Sequence, residues 1–349
     1  MRIVYGVQST GRGHLARFAA LKPLLDAAGH ELLIIVSGYD EPPRFFLESI
    51  GASRYERMTS YKMVDDGEGG ISKRGTAKAF ITNMPDLLSS LYRGHKVISS
   101  FEPDLIISDF DPITGSPMVA PSTFKVGIGN WAMARQRGTA HLPRMRIERF
   151  NTNLAAKLCT SGVDVLLGCH FYPCDENCLP PILRPDIDTV PISNDGHILV
   201  YHSFQGRLKP ITEYANKHKD REVVVYGYPG RPSGLPENMR FETESNRFLR
   251  DLATCEAYVG TAGFQSVCEA FYLGKKIVVQ PIDGHYEQMW NADKLDELGI
   301  GHWYHGDLES DLEQPFNQEL HVQLAPWYRG GARFCYDRIM ELHAGVSAP

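Results

Sequence analysis

Two short stretches combine residue types that could carry out chemistry. The first is Gly260 to Ala292, GTAGFQSVCEAFYLGKKIVVQPIDGHYEQMWNA. Gly260 and Gly263 follow an apolar run and let the backbone turn sharply into a helix, whose first N–H groups have no partner within the helix and suit an anion. On that helix Ser266 and Glu269 share a face near its start, and Gly274 stops it. Pro281, Asp283, His285, Glu287 and Gln288 then leave the next apolar strand, Ile277 to Val279, as a polar loop and helix start. A phosphate turn, an inward carboxylate and a polar rim could together hold a nucleoside diphosphate and a group attached to it. Ser266-Val267-Cys268-Glu269 also spells a capping box, in which Glu269 would bend back to a backbone N–H instead.

The second stretch is Ser9 to His14, where Gly11, Arg12 and Gly13 precede His14 at a helix opening. The macrodipole at that end disfavours imidazolium and leaves a neutral ring able to accept a proton. That suits a general base; the plainer alternative is a histidine that only caps the turn. Asp109 and Asp111 end the apolar run Leu105 to Ser108 and fall on the same rim of a parallel sheet as the His14 turn. Either could orient a histidine or act as the base, and Asp111-Pro112 is also an ordinary turn starter.

The elements that must place these residues alternate between strand and helix. Ile3 to Gly6, the helix carrying Leu15, Phe18 and Leu25, and Leu32 to Val36 form a βαβ unit, which favours a parallel sheet. Residues 61–78 read as a polar, glycine-rich mobile loop. Residues 79–99 read as one helix, then 105–108, 124–128 and 163–167 as strands. Prolines thicken between Pro173 and Pro191, marking a linker. Strands at 198–201 and 222–226 and a helix at 247–254 restart the pattern, and a final helix spans 326–343. The expected domains are 1–183, a linker at 184–194, 195–325, and a C-terminal helix at 326–349.

At these residues the chain resembles the GT-B glycosyltransferases, especially MurG-like and related UDP-sugar enzymes. The resemblance implies an α/β fold of two Rossmann-like domains with parallel sheets facing each other across a cleft. It implies that Gly263 takes the diphosphate, that Glu269 takes the ribose hydroxyls and that Glu287 and Gln288 take the sugar; Phe264, Gln265, Ser266 and His285 would also bind the donor, and Asn291-Ala292 fits the same pattern. The base would be read near Phe241, and His202 and Ser203 stand where the family has a double glycine, with Ser203 the candidate phosphate contact. Gly11, Arg12, Gly13 and Asp111 would lie on the acceptor side, with His14 and Asp109 catalytic. The implied reaction is an inverting, metal-independent transfer of a hexosyl or N-acetylhexosaminyl group from a nucleoside diphosphate, UDP, to an acceptor hydroxyl. The acceptor would be a small molecule, a lipid-linked molecule or a glycan. A UDP-sugar 2-epimerase of the same architecture and a non-catalytic nucleotide-sugar binding partner are the alternatives.

Composition narrows the field further. The 349 residues carry 36 basic and 42 acidic side chains, a balance that gives no footprint for nucleic acid. The first turn has Arg12 where a Walker A loop needs Lys, and it is not a clean GxGxxG, so neither an ATPase nor a dehydrogenase is supported. The sequence shows no signal peptide and no membrane span. A cytoplasmic location with at most peripheral membrane contact is therefore expected, the basic helix face at Arg144, Arg146 and Arg149 being the place that could sit near anionic lipid. The cysteines number seven, and the cluster Cys169-His170, Cys174 and Cys178 matches no common zinc spacing. No metal and no cofactor are expected, the nucleotide sugar being a substrate.

Overall fold

The computed structural model describes residues 1–9, 11–39, 41–61, 63–64, 66, 70–134, 145–202, 207–243 and 247–347. They form two compact units. The first holds β1 (Arg2–Gln8), α1 (Arg12–Ala27), β2 (Glu31–Ser37), α2 (Arg44–Ile50), β3 (Arg54–Met58), α3 (Lys73–Thr82), α4 (Met84–Phe101), β4 (Leu105–Asp109), β5 (Phe124–Ile128), α5 (Arg146–Thr160), β6 (Val165–Cys169) and β7 (Cys178–Leu179). Its sheet is parallel, in the order β3-β2-β1-β4-β5-β6-β7.

The second unit begins near Pro185 and also takes in Gly70 and Ile71, which pair with Asp283. It contains β8 (Ile198–Tyr201), α6 (Leu208–Lys217), β9 (Val223–Tyr226), β10 (Met239–Glu242), α7 (Phe248–Thr254), β11 (Ala257–Gly260), α8 (Phe264–Tyr272), β12 (Lys276–Val279), α9 (Tyr286–Leu298), β13 (His302–Trp303) and α10 (Leu308–Glu313). Its sheet is parallel as well, in the order β10-β9-β8-β11-β12-β13. After α11 (Gln318–Tyr328), the chain from Trp327 onward, including α12 (Gly331–Ser347), belongs again to the first unit.

The strands that flank each switch in strand order are continuous apolar runs because helices cover both faces of such a sheet. Ile3, Val4, Tyr5 and Val7 of β1 are fully buried, as are Leu199, Val200, Tyr258 and Val259. Gly6 in β1 is required for space: a Cβ there would lie 1.9 Å from Thr114 Oγ1 and 2.5 Å from Asp111 Oδ2. The turn after β4 can therefore sit directly over β1. In each unit the order reverses beside the first strand, between β1 and β4 and between β8 and β11, and open α/β sheets hold ligands at such points.

Several expectations are corrected. The helix expected at 79–99 is two helices, since the chain breaks at Asn83 and Pro85 opens the second. Lys73 and Arg74, expected in a loop, form the first turn of α3. The short helix α2 and the half-exposed edge strand β3 were not anticipated, being only 7 and 5 residues long with little periodicity to read. Of the expected basic face, Arg144 lies outside the described residues and Arg146 and Arg149 lie on α5, beside exposed Ile147, Phe150, Leu154 and Leu158. Among the described residues no helix is long and apolar enough to cross a membrane.

Candidate functional site

In the first unit the chemistry gathers at the β1–β4 switch. Asp109 ends β4, opposite Val7 in register, and is completely buried. Gly11, at φ 102°, turns the chain so that α1 starts at Arg12, which places His14 in the first helical turn. His14 Nδ1 lies 2.7 Å from Asp109 Oδ1. Arg17, one turn further on and 4% exposed, closes a fork on the same carboxylate: Nε to Oδ2 at 2.7 Å and Nη2 to Oδ1 at 2.8 Å. Burial works against the Asp109 charge, yet Arg17, then His14, outweigh it and hold the carboxyl below its ordinary range. Arg17 Nη2 also lies 3.0 Å from Nδ1; because the carboxylate oxygen can only accept, its 2.7 Å contact is made with a proton on Nδ1, and in that tautomer Nε2 is the ring nitrogen able to accept. The His14 side chain is 19% exposed, whereas Asp109 is enclosed by its two partners.

Phe110 follows in the left-handed region at φ 56°, which costs a non-glycine residue roughly 1 kcal/mol or more. Its ring lies parallel to the His14 imidazole, at 7° and 6.0 Å, and 4.8 Å from the Trp131 ring. Arg12 and Gly11 are exposed and Gly13 is half-buried. Asp111, expected on the acceptor side, is instead fully buried and starts a turn, accepting from Thr114 N at 2.8 Å and Thr114 Oγ1 at 2.6 Å. The ordinary-turn alternative describes its position, because Pro112 directs the chain back over Gly6. Neither Arg17 nor Phe110 was singled out in the sequence; for Arg17 the available signal was its i, i+3 spacing from His14.

In the second unit the polar groups collect around the turn from β11 into α8. Gly260 is required for space, a Cβ there lying 2.4 Å from Tyr258 Oη, but Gly263 is not. It has ordinary extended geometry at φ −68° and no atom nearer than 3.9 Å to an added Cβ. No side chain caps α8, which begins at Phe264. Ser266 therefore lies inside the helix and bonds Tyr258 Oη at 2.8 Å, so the capping box does not form. Glu269 is buried, with Oε1 accepting from Gln265 Nε2 at 3.0 Å, and Phe264 is buried beside the turn. Asn291 of α9 ties down the turn through Nδ2 to Ala262 O at 2.9 Å.

The loop before α9 is closed by two residues expected to bind the donor. His285 caps α9 by accepting from Gln288 N at 3.4 Å, and Gln288 Oε1 accepts from Ile282 N at 3.0 Å. Burial pushes the His285 imidazole towards its neutral form, which that acceptor role needs. Glu287 is half-buried. Phe241 packs edge-on to Tyr228 at 5.8 Å with Arg231 over its ring, and Ser203 lies outside the described residues.

Residues not assigned from sequence complete this rim. His202 and Gln280 each stand one position past a strand, β8 and β12, on either side of β11. Among the described residues neither nitrogen of His202, nor Gln280 Oε1, nor Asn291 Oδ1 has a hydrogen-bond partner, although all three side chains are at least 96% buried. Burial pushes His202 down to about 3, and the charge of nearby Arg207 adds to the effect. Arg207 itself reaches Asp283 at 3.4 Å.

Comparison with known proteins places these features in a wider group. The family described as Glycosyl transferase family 1 matches residues 1–320. An uncharacterized glycosyltransferase of Methanosarcina acetivorans is 23% identical over 332 residues, 86% of this chain and 85% of that protein. Among solved structures, the glycotransferase of kitacinnamycin superposes with a TM-score of 0.66 at 18% identity, covering 97% of this chain and 98% of that one. Phytolacca americana UGT2, complexed with UDP-2fluoro-glucose and pterostilbene, does so with 0.59 at 12%, covering 98% and 93%. The fold, two parallel-sheet α/β domains of 7 and 6 strands, is GT-B.

Proposed function

The chain belongs to glycosyl transferase family 1, and from that premise we propose that it moves a hexosyl or N-acetylhexosaminyl group from a UDP-linked donor to an acceptor hydroxyl by a single inverting displacement. The observation that carries the donor side is the set of unfilled polar atoms around the β11–α8 turn. A buried polar atom left without a partner costs about 1–3 kcal/mol, and native structures keep few of them. His202, Gln280 and Asn291 hold four such atoms at a strand-order switch beside an uncapped helix start. A bound diphosphate sugar would supply the missing partners. Gly263 fits the same reading, since only something approaching the backbone from outside gains from its missing side chain.

In this reading the diphosphate lies at the start of α8, Glu269 takes the ribose hydroxyls, and Glu287 lies at the sugar. As the bond from the anomeric carbon to the diphosphate breaks, its electron pair goes to the leaving oxygen. That charge is met by the α8 dipole and by Arg207, so no metal is needed at the leaving group. His14 Nε2 takes the proton of the acceptor hydroxyl as its oxygen attacks from the opposite face, which inverts the anomeric centre. Asp109 and Arg17 hold the ring and its tautomer. The acceptor is a small molecule, a lipid-linked molecule or a glycan.

The test is a thermal-shift panel of nucleotide sugars. A true donor at 100 times its dissociation constant stabilises by about 2.7 kcal/mol. With that donor, Glu269→Ala is expected to lose about 1.5–3 kcal/mol of affinity, the worth of hydrogen bonds to a carboxylate. A variant that is less stable but binds the donor as tightly as the wild type would remove Glu269 from the ribose and leave it a packing role.

A further inference from the structure

The loop joining β6 to β7 gathers three ligating side chains that the transfer reaction does not use. His170 follows β6 directly, Cys178 opens β7, and Cys174 lies midway between them. Strand pairing fixes the two ends, with Gly168 opposite Cys178, Cys169 opposite Leu179, and the His170 N–H donating to Leu179 O at 2.9 Å. The span between is held by Gly168 N to Asn177 O at 2.9 Å, Cys178 N to Asp175 O at 3.1 Å, and Asn177 N to Asp175 Oδ1 at 2.9 Å. One ligand atom from each of His170, Cys174 and Cys178 lies within 4.8 Å of the other two.

A tetrahedral ion with bonds of about 2.3 Å to sulfur and 2.0 Å to nitrogen sets its ligand atoms about 3.5–3.8 Å apart. The three side chains therefore need to close by about 1.3 Å at most, which small rotations about their χ angles supply. We propose that His170, Cys174 and Cys178 bind one soft divalent transition-metal ion of the zinc type, through an imidazole nitrogen and two thiolates, with the fourth position open. Binding releases the two thiol protons to solvent, since only the thiolate ligates. Cys169, the other cysteine of the sequence cluster, is adjacent to His170 at a strand end, and alternation sends its side chain to the opposite face.

The sequence alone offers no reason to expect this, because the spacing His-x3-Cys-x3-Cys is not that of a finger or ribbon. The sheet replaces the usual local motif: strand pairing brings two ligands to neighbouring strand ends, two register positions apart, and a short loop delivers the third. His170 and Cys178 are buried and Cys174 is half-buried, so the ion would have a protected seat and an entry path. Trp327 Nε1 donates to the His170 carbonyl at 3.3 Å, so a metal here would also brace the segment that returns to the first unit. The proposed ion is independent of the donor reading.

The test uses the reduced, chelator-treated full chain titrated with cobalt(II) chloride. The expected result is one equivalent bound with thiolate-to-cobalt charge-transfer absorption, displaced by zinc chloride, and a higher melting temperature with either ion. Cys174→Ser, at the half-exposed position, should match the wild-type melting temperature without metal and lose more than about 100-fold in cobalt affinity, beyond what removing an outer-shell partner costs. His170→Gln should lose a comparable amount. Absence of the charge-transfer band in the reduced wild type overturns the proposal, as does a band of undiminished intensity in Cys174→Ser. Recovery of a Cys174–Cys178 disulfide that forms in preference to metal uptake under reducing conditions overturns it too.

Discussion

His14→Ala is expected to lower turnover by about 10²- to 10⁴-fold while leaving donor affinity nearly unchanged, because proton removal matters only on the way to the transition state. In the proposed mechanism His14 rather than Asp109 is assigned to the acceptor, and burial favours that assignment. Asp109 is fully buried with its oxygens taken by Arg17 and His14, whereas the imidazole is partly exposed and keeps Nε2 outward of that clamp. Asp109→Asn should therefore act through the ring, by loosening its tautomer, and cost less than removing the ring itself. Steady-state kinetics with donor and acceptor varied in turn, normalised to folded protein, separates the two. Near-normal turnover in His14→Ala together with none in Asp109→Asn would reverse the roles.

The second large effect concerns stability and falls on a residue that never touches substrate in this reading. Arg17→Leu strips the fork from a carboxylate that has no access to water, and breaking a buried pair in this way costs about 3–5 kcal/mol. The pH dependence supplies the sign. In the wild type the Asp109 carboxyl is held below its unfolded value, so its contribution is complete at neutral pH and is lost only as pH falls through the folded-state value. In Arg17→Leu burial is left as the dominant influence and pushes the carboxyl upward, so protonation relieves the variant. The gap between the two proteins, measured by urea unfolding, should narrow steadily as pH falls from 7 towards about 4. A gap that stays constant with pH, or one below about 1 kcal/mol at neutral pH, would mean that the fork is not what stabilises Asp109.

The contrast between Arg17 and His14 also shows what could be read without coordinates. The meeting of His14 and Asp109 was legible because each sits at a punctuation mark, a glycine turn or a strand end, and a parallel sheet sends all such ends to one rim. Arg17 sits among Leu15, Phe18 and Leu21 on the buried side of α1, where a cation looks like an interruption until the carboxylate it serves, 92 residues later, is in place. The unfilled rim atoms were hidden for the opposite reason. His202 and Gln280 are ordinary polar residues after strands, and only strand order reveals that β8 and β12 flank β11. Asp111 was misplaced because its turn chemistry and its nearness to the rim give the same sequence signal. The two βαβ halves themselves were plain, since buried parallel strands such as Leu32–Val36 and Ile277–Val279 leave long apolar runs.

The return of the chain after Trp327 sets the order in which this protein can be finished during synthesis. The first unit needs α12, whose Cys335 and Ile339 are buried and whose Gly331 backs onto Pro181 O so closely that a Cβ would lie 2.1 Å from it. Everything the second unit uses has been made by Pro326. The half that carries His14 is thus begun first on the ribosome and completed last. The α12 face of α1 is therefore expected to stay uncovered during synthesis until all of the second unit's residues have been made, the reverse of the usual sequence in which the leading domain is the first to fold.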